Sequence, residues 1–209
     1  RLLETYWRSL ADETGEIPLR SQIDPRGIES ALEYAFLAGR ITPSLAKLRV
    51  SGTHLNDLMG METSGMPLST LFTPEARDAL GDAVARVFSE GAIVRMRLDA
   101  EEGFGKGALD AHMTLLPLRS DMGDLTRMIG ALATTGRIGR TPRRFSIAET
   151  EFLPAFGAGR PAAPNYRQDE RPTPELSEPP AAFQAEPPRT APDSPSRKHP
   201  HLRLIVDND

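Results

Sequence analysis

Apolar residues recur at helical or strand spacing through the first part of the chain, and this pattern predicts most of its elements. The earliest apolar stripe has helical spacing and predicts an N-terminal helix with one buried face: Leu3, Tyr6, Trp7 and Leu10. Asp24-Pro25 predicts the start of a short second helix, because aspartate caps helices and proline fits the first turn. The stripe has two interpretations, packing on the domain or pairing with another chain.

Two strands and a helical middle are predicted next. Residues 34–41 form a short apolar run, and residues 46–51 alternate with period two, as in a strand with one buried face. Thr53 begins a short helix that ends at Gly60. A longer helix begins at Thr73-Pro74 and ends at Gly91, and its buried stripe is Leu80, Val84, Val87 and Phe88.

Three further strands follow, at residues 94–98, 109–115 and 127–133. A glycine-rich loop at 103–107 and a turn at 121–124 separate them, so each pair has a hairpin connection. Sequential strands tend to be neighbours in a sheet. The order predicts an α+β fold in which a five-stranded antiparallel sheet carries helices on one face and follows an N-terminal helix.

Proline density divides the chain into two parts. Of the 19 prolines, 13 lie from Pro142 onward, and such a segment does not sustain a sheet or a helical core. We therefore predict a folded domain over residues 1–136 and a mostly disordered tail over 137–209. Two apolar segments interrupt the tail. Residues 145–156 suit packing back on the domain, and residues 202–206 suit either addition to a sheet edge or a frayed end.

Composition narrows the classes of function. The net charge is −4 without a basic stripe, which argues against nucleic-acid binding, and no run of about 18 apolar residues predicts a membrane span. The chain has no cysteine, so disulfides, thiolate catalysis and a cysteinyl adduct with flavin are excluded. A cysteine-free chain fits a reducing compartment, and we expect a cytoplasmic protein.

Several motifs occur in an order that resembles a bacterial group of short, single-domain PAS proteins, over about residues 1–136. They are Tyr6-Trp7, Ile23-Asp24-Pro25-Arg26, Arg49-Val50-Ser51-Gly52-Thr53, Gly65-Met66-Pro67-Leu68 and Gly130-Ala131-Leu132. The resemblance implies a PAS-like fold. It also implies a sensory or regulatory module that binds a small molecule or a protein partner, although a fold by itself does not define a function.

Residues able to do chemistry are few, and we expect no enzyme. His54 and His112 are the histidines of the predicted domain, and each has two interpretations, an axial haem ligand or an ordinary histidine. We expect His54 to be solvated and His112 to point away from the apolar face of its strand. Arg95 and Arg97 share the other face of a strand, where they serve either solubility or an anionic ligand. His199 and His201 are expected to be a solvated pair.

The main functional candidate is an apolar pocket between the sheet and the helices. The predicted pocket residues are Leu48, Val50, Leu58, Met59, Phe72, Met96 and Met113. Methionine adapts its shape to a ligand, but the same residues would also make an ordinary core. The alternatives are a sensor with an unidentified ligand and a protein-interaction adaptor with a filled core. A homodimer through the helix of Tyr6 and Trp7 is a further expectation.

Overall fold

The computed structural model describes residues 1–156. The predicted role of residues 202–206 and the pair His199 and His201 lie outside the described residues. The α-helices and strands, in chain order, are α1 (Leu2–Thr14), β1 (Ala35–Thr42), β2 (Leu45–Ser51), α2 (Thr53–Met59), α3 (Arg77–Glu90), β3 (Ile93–Ala100), β4 (Asp110–Leu118), β5 (Arg127–Thr135) and β6 (Phe145–Leu153). Short 3₁₀ helices supplement them at Arg20–Gln22, Pro25–Ala31, Leu68–Leu71 and Pro74–Ala76.

The strands form one antiparallel sheet in the order β2-β1-β5-β4-β3-β6. All five predicted strands are present, and the α+β fold class is confirmed. Sequential hairpins connect β1 to β2, β3 to β4 and β4 to β5, whereas β1 and β5 meet through a long-range pairing. A strand that the prediction placed in the tail, β6, pairs with β3 along Phe145–Leu153 and makes the sheet six-stranded.

The domain therefore extends beyond the predicted boundary at residue 136. Phe145 is completely buried in the core, and Phe152 stacks under the guanidinium of Arg86 at 4.3 Å from the ring centroid. The proline density that suggested a tail does not extend to residues 145–153, which contain no proline and pair with β3. The interpretation that residues 145–156 pack back on the domain is correct for β6.

Helices cover both faces of the sheet. The inner face carries α2 and α3, as predicted, together with the 3₁₀ helices at Leu68–Leu71 and Pro74–Ala76, and these elements share one hydrophobic cluster with the sheet. The outer face carries α1, which shares a second cluster with Ile93, Leu116 and Ile129. Alternation along the strands produces these two apolar faces, since successive side chains point to opposite sides.

Trp7 anchors α1 on the outer face. Its ring is 0% exposed, and its Nε1 donates a hydrogen bond to the carbonyl oxygen of Pro117 on β4 at 2.8 Å. Leu3 and Ala11, one helical turn before and after, are buried beside it. Packing on the domain is therefore the correct interpretation of the apolar stripe around Trp7, and the indole is not available to a second chain.

The junction between β2 and α2 depends on a glycine. Gly52 donates its N–H to the carbonyl of Ala35 at 2.8 Å, and His54 donates its N–H to Glu33 at 3.0 Å. A Cβ on Gly52 would overlap the carbonyl oxygens of Glu33 and Leu32. Only glycine allows this close approach of two backbone segments, which explains the Gly-Thr pair at the start of α2.

Glu4 connects α1 to the sheet through charge. Its carboxylate accepts hydrogen bonds from Arg95 on β3, at 2.7 and 3.0 Å, and from Arg8 on α1. Burial would raise the pKa of Glu4, but the hydrogen bonds from Arg95 and Arg8 outweigh it and hold that pKa below its ordinary value. The ionised form therefore stabilises the docked helix.

We predict a pH-dependent effect of Glu4→Gln. A carboxylate whose pKa is lowered by folding contributes stability above its unfolded pKa, and this contribution disappears as the pH falls through the folded pKa. Arg95 and Arg8 are 44% and 40% exposed, so water screens the interaction. The expected loss at pH 7 is about 1 kcal/mol of unfolding free energy.

Urea titrations at pH 7 and at pH 3 measure this effect. Glu149→Gln is the matched control, because its carboxylate pairs with Arg97 on the same face of the sheet but is 71% exposed. The difference between Glu4→Gln and the native chain should be smaller at pH 3 than at pH 7, while the control stays close to the native chain at pH 7. A Glu4→Gln deficit of equal size at both pH values contradicts the assignment.

Candidate functional site

Six of the seven predicted pocket residues meet on the inner face of the sheet. Leu58, Met59 and Phe72 come from the helical side, whereas Leu48, Met96 and Met113 come from β2, β3 and β4. All six are between 0% and 5% exposed and belong to one cluster. The alternation read from the strands thus placed these side chains on the correct face.

Val50 does not belong to this set. Its side chain is 55% exposed, although period-two counting from Leu48 puts it on the inner face. Leu37 pairs with Val50 and the next residue of β1, Ala38, pairs with Leu48, so Arg49 is an extra residue in β2. This β-bulge reverses the alternation after Leu48 and turns Val50 to the outer face.

The inner face is filled by its own side chains. Residues that the pocket prediction did not include complete the packing: Phe36, Leu55, Leu68, Leu71, Val84 and Phe145. Phe145 reaches this core from β6, and its backbone carbonyl accepts a hydrogen bond from Thr73 N at 3.0 Å. The apolar character of residues 145–156 indicated that Phe145 contacts the domain. Its position in the core follows only from the pairing of β6 with β3.

The helices over the inner face are mostly short. α2 has seven residues, and the 3₁₀ helices at Leu68–Leu71 and Pro74–Ala76 have four and three. Helices of this length have little stability of their own and depend on their packing. Three methionines, Met59, Met96 and Met113, lie at the same face, and their unbranched side chains change shape at low energetic cost.

Two grooves open at the surface of the described domain, and neither contains a predicted pocket residue. One, of about 540 Å³, lies between the β1–β2 hairpin and α3, with Leu45, Leu68 and Leu80 among its lining residues. The other, of about 970 Å³, lies between the β3–β4 loop and the segment after β5, and it includes Arg137 and three glycines. The surface thus offers concave sites that do not include the predicted pocket residues.

His54 is half-buried, which corrects the expectation of a solvated side chain. Its Nε2 lies 3.0 Å from Oγ1 of Thr134, and its ring contacts Tyr34 edge-on at 4.9 Å between centroids. Burial lowers the pKa of His54, although the nearby Asp57 and Glu33 act in the opposite direction. The ring therefore lies beside β5, where it contacts Thr134 and Tyr34.

The remaining sequence candidates lie on the outer side of the strands. His112 is exposed on β4 and paired with Arg97, so it points away from the apolar face as predicted. Arg95 binds Glu4 and Glu151, and Arg97 lies near Glu149 and Asp99. These arginines are occupied by ion pairs of the domain itself, which favours the structural interpretation over an anion site there.

Two kinds of feature are absent from residues 1–156. No three or more histidine, aspartate or glutamate side chains come together there in a group that could hold a metal ion. No helix in the same range is long and apolar enough to cross a bilayer.

A buried arginine was not found by sequence reasoning. Arg143, in the segment between β5 and β6, is 0% exposed and has no acidic partner among the described residues. It lies in a mostly polar run with one proline, where no periodicity marks it as buried.

Comparison with known proteins gives one family and several solved structures. The family described as PAS domain matches residues 1–133. The chain matches no curated protein significantly.

The solved structures with similar folds are distant in sequence. A light-oxygen-voltage domain studied with a flavin analogue is 14% identical, with a TM-score of 0.42 over 54% of this chain and 84% of that chain. The light-state light-oxygen-voltage domain of the blue-light photoreceptor Aureochrome1 is also 14% identical, with a TM-score of 0.40 over 54% and 88%. An RNA-binding light-oxygen-voltage receptor is 20% identical, with a TM-score of 0.39 over 56% of this chain and 35% of that longer chain.

Proposed function

The chain belongs to the PAS domain family, and on this premise we propose that its inner face binds a small apolar molecule and that occupancy alters its contacts with a protein partner. Membership of the family supports a sensory or regulatory module. The single observation that carries the ligand site is the cluster that Met96 and Met113 of the sheet form with Met59 of α2, one of the short helices that cover this face.

Opening this cover is the physical step that the proposal requires. The side chains of the inner face pack against one another in one buried cluster, so a ligand must replace side-chain contacts with its own. Short helices open at lower free energy than long ones, because each breaks few backbone hydrogen bonds. The long α3 and the sheet would remain in place, while α2 and the 3₁₀ helix at Leu68–Leu71 would move.

Native mass spectrometry of the chain purified from its own cells tests this proposal. We expect a noncovalent adduct of small mass on the native protein. The double variant Met96→Leu/Met113→Leu keeps the volume of the core but replaces two flexible side chains with branched ones, and it should lose most of the adduct. Ile129→Leu, an equally conservative change on the outer face, is the control and should retain the adduct.

An adaptor with a filled core is the second candidate, and the tight packing of the inner face favours it. In that case the native protein carries no small molecule, yet it captures a protein partner. The same spectra distinguish the two candidates. No adduct in the native chain, together with unchanged partner capture by Met96→Leu/Met113→Leu, contradicts the ligand site and supports the adaptor.

The remaining parts of the proposal concern location, assembly and catalysis. We place the module in the cytoplasm and assign it no catalytic activity, as the sequence analysis predicts. A homodimer through α1 would use the outward side of that helix, because Trp7 is buried within the domain. Light scattering of the full chain at several concentrations measures the assembly directly.

A further inference from the structure

The groove beside the β3–β4 loop has a chemical character different from that of the inner face. Its lining consists of Gly105, Gly107 and Ala108 from that loop and of Arg137, Ile138 and Gly139 from the segment after β5. The two segments are joined by a hydrogen bond from Arg140 N to the carbonyl of Gly105 at 2.8 Å. The groove is therefore a defined seam between two loops.

Positive charge accumulates around this seam, although the chain as a whole carries a net charge of −4. Residues 101–107 and 136–144 contain five basic and two acidic side chains. Lys106 lies 3.5 Å from Glu101, whereas Arg137 and Arg140 are exposed and make no ion pair with any described residue. The local surplus therefore consists of arginines that are free to meet an anion.

Arg143 lies directly behind the groove wall. Its Nη2 donates to the carbonyl of Gly107 at 2.7 Å, and its Nη1 donates to the carbonyl of Ile138, so both acceptors belong to residues that line the groove. Its Nε is buried and has no acceptor among the described residues. Carbonyl dipoles only partly compensate a buried guanidinium.

Unpaired backbone donors belong to glycines that line the same seam. The N–H groups of Gly105, Gly107 and Gly139 have no hydrogen-bond acceptor within residues 1–156. A Cβ on Gly139 would lie 2.6 Å from the carbonyl oxygen of Gly105, and the φ of Gly139 is +67°, so this position requires glycine. Glycines allow a ligand to approach the backbone closely, and free N–H groups near cationic side chains bind anions.

We propose that this groove binds a small anion through a phosphate or carboxylate group. Arg137 and Arg140 would contact the anion, the glycine N–H groups would donate to it, and the charge of Arg143 would act through the groove wall. Arginine suits both groups because its planar guanidinium donates two parallel hydrogen bonds. The groove contains none of the predicted pocket residues, and the proposal does not depend on the function proposed for the inner face.

Amide chemical shifts of the full chain provide the test, with inorganic phosphate and acetate as separate probes and sodium chloride at equal ionic strength as the reference. We expect saturable shifts at Gly105, Gly107 and Gly139 with at least one probe, and the effective probe identifies the group that is recognised. Arg137→Gln should weaken that binding about tenfold, as expected for loss of one charged hydrogen-bonding partner. Arg20→Gln is the matched control, because Arg20 is exposed, makes no ion pair with any described residue and does not line the groove.

The role of Arg143 is tested with additional variants, because replacing this buried residue can unfold the domain. Arg140→Gln leaves the buried guanidinium in place and should weaken binding as Arg137→Gln does. Arg143→Lys, read only if its melting temperature stays near that of the native chain, should weaken binding as well. Shifts that do not saturate above the chloride reference, or equal affinities for Arg137→Gln, Arg140→Gln and Arg20→Gln, overturn the proposal.

Discussion

Trp7→Ala should lower the free energy of unfolding by about 3 kcal/mol or more, as large aromatic truncations in a core do. The indole is 0% exposed between α1 and the outer face of the sheet, so its removal leaves a cavity that the rigid sheet cannot close. The carbonyl of Pro117 also loses its hydrogen-bond donor, Nε1. Urea denaturation followed by far-ultraviolet circular dichroism measures the loss.

Two companion variants separate the causes. Trp7→Phe keeps most of the apolar area but removes the donor to Pro117, so it should cost about 1–2 kcal/mol. Leu2→Ala changes a residue of the same helix that is 49% exposed, and it should stay within about 0.5 kcal/mol of the native chain. If Trp7→Ala behaves like Leu2→Ala, then α1 is not docked on the sheet through this residue.

Ending the chain at residue 136 should destabilise the domain strongly, whereas ending it at residue 156 should not. The shorter chain loses β6 and with it Phe145, a completely buried core side chain whose truncation alone costs about 3–5 kcal/mol. It also exposes the edge of β3 to water and to other chains. Small domains are stable by only about 5–15 kcal/mol, so this loss is a large part of the total.

Three chains compared by urea denaturation decide this point: residues 1–136, residues 1–156 and the full chain. Phe145→Ala in the full chain is the point-mutation control, and it should reproduce a substantial part of the loss without removing the strand. Limited proteolysis adds an independent measurement, with a resistant fragment that retains residues 145–153. Equal stability of the chains ending at 136 and 156 contradicts a structural role for β6.

Local patterns in the sequence determined most of the elements. The period-two alternation of residues 94–98 and 109–115 identified β3 and β4 and oriented their side chains correctly, because one face of each strand is buried. Glycines after α2 and α3 marked the ends of both helices, since Gly60 and Gly91 adopt the left-handed conformation there. Helical spacing likewise identified Trp7 as a residue of a buried stripe.

Tertiary structure alone decided which surfaces those stripes meet. Helical periodicity indicates that Trp7 packs against an apolar surface. Whether that surface is its own sheet or another chain is decided by the contact with Pro117, 110 residues away. The bulge at Arg49 turned Val50 outward, because one unpaired residue reverses an alternation that sequence counting assumes to be continuous. The pairing of β6 with β3 likewise depends on an edge that forms only when the rest of the sheet is assembled.

The candidate functional site likewise has features that the sequence predicted and features that only the tertiary structure determined. Six predicted pocket residues converge on the inner face because burial is encoded in local periodicity, and that convergence follows from the sequence. The burial of Arg143 does not, because its two carbonyl acceptors belong to Gly107 and Ile138 on separate loops. Composition and periodicity record which side chains avoid water, whereas the pairing of a buried charge is determined only by the folded arrangement of distant segments.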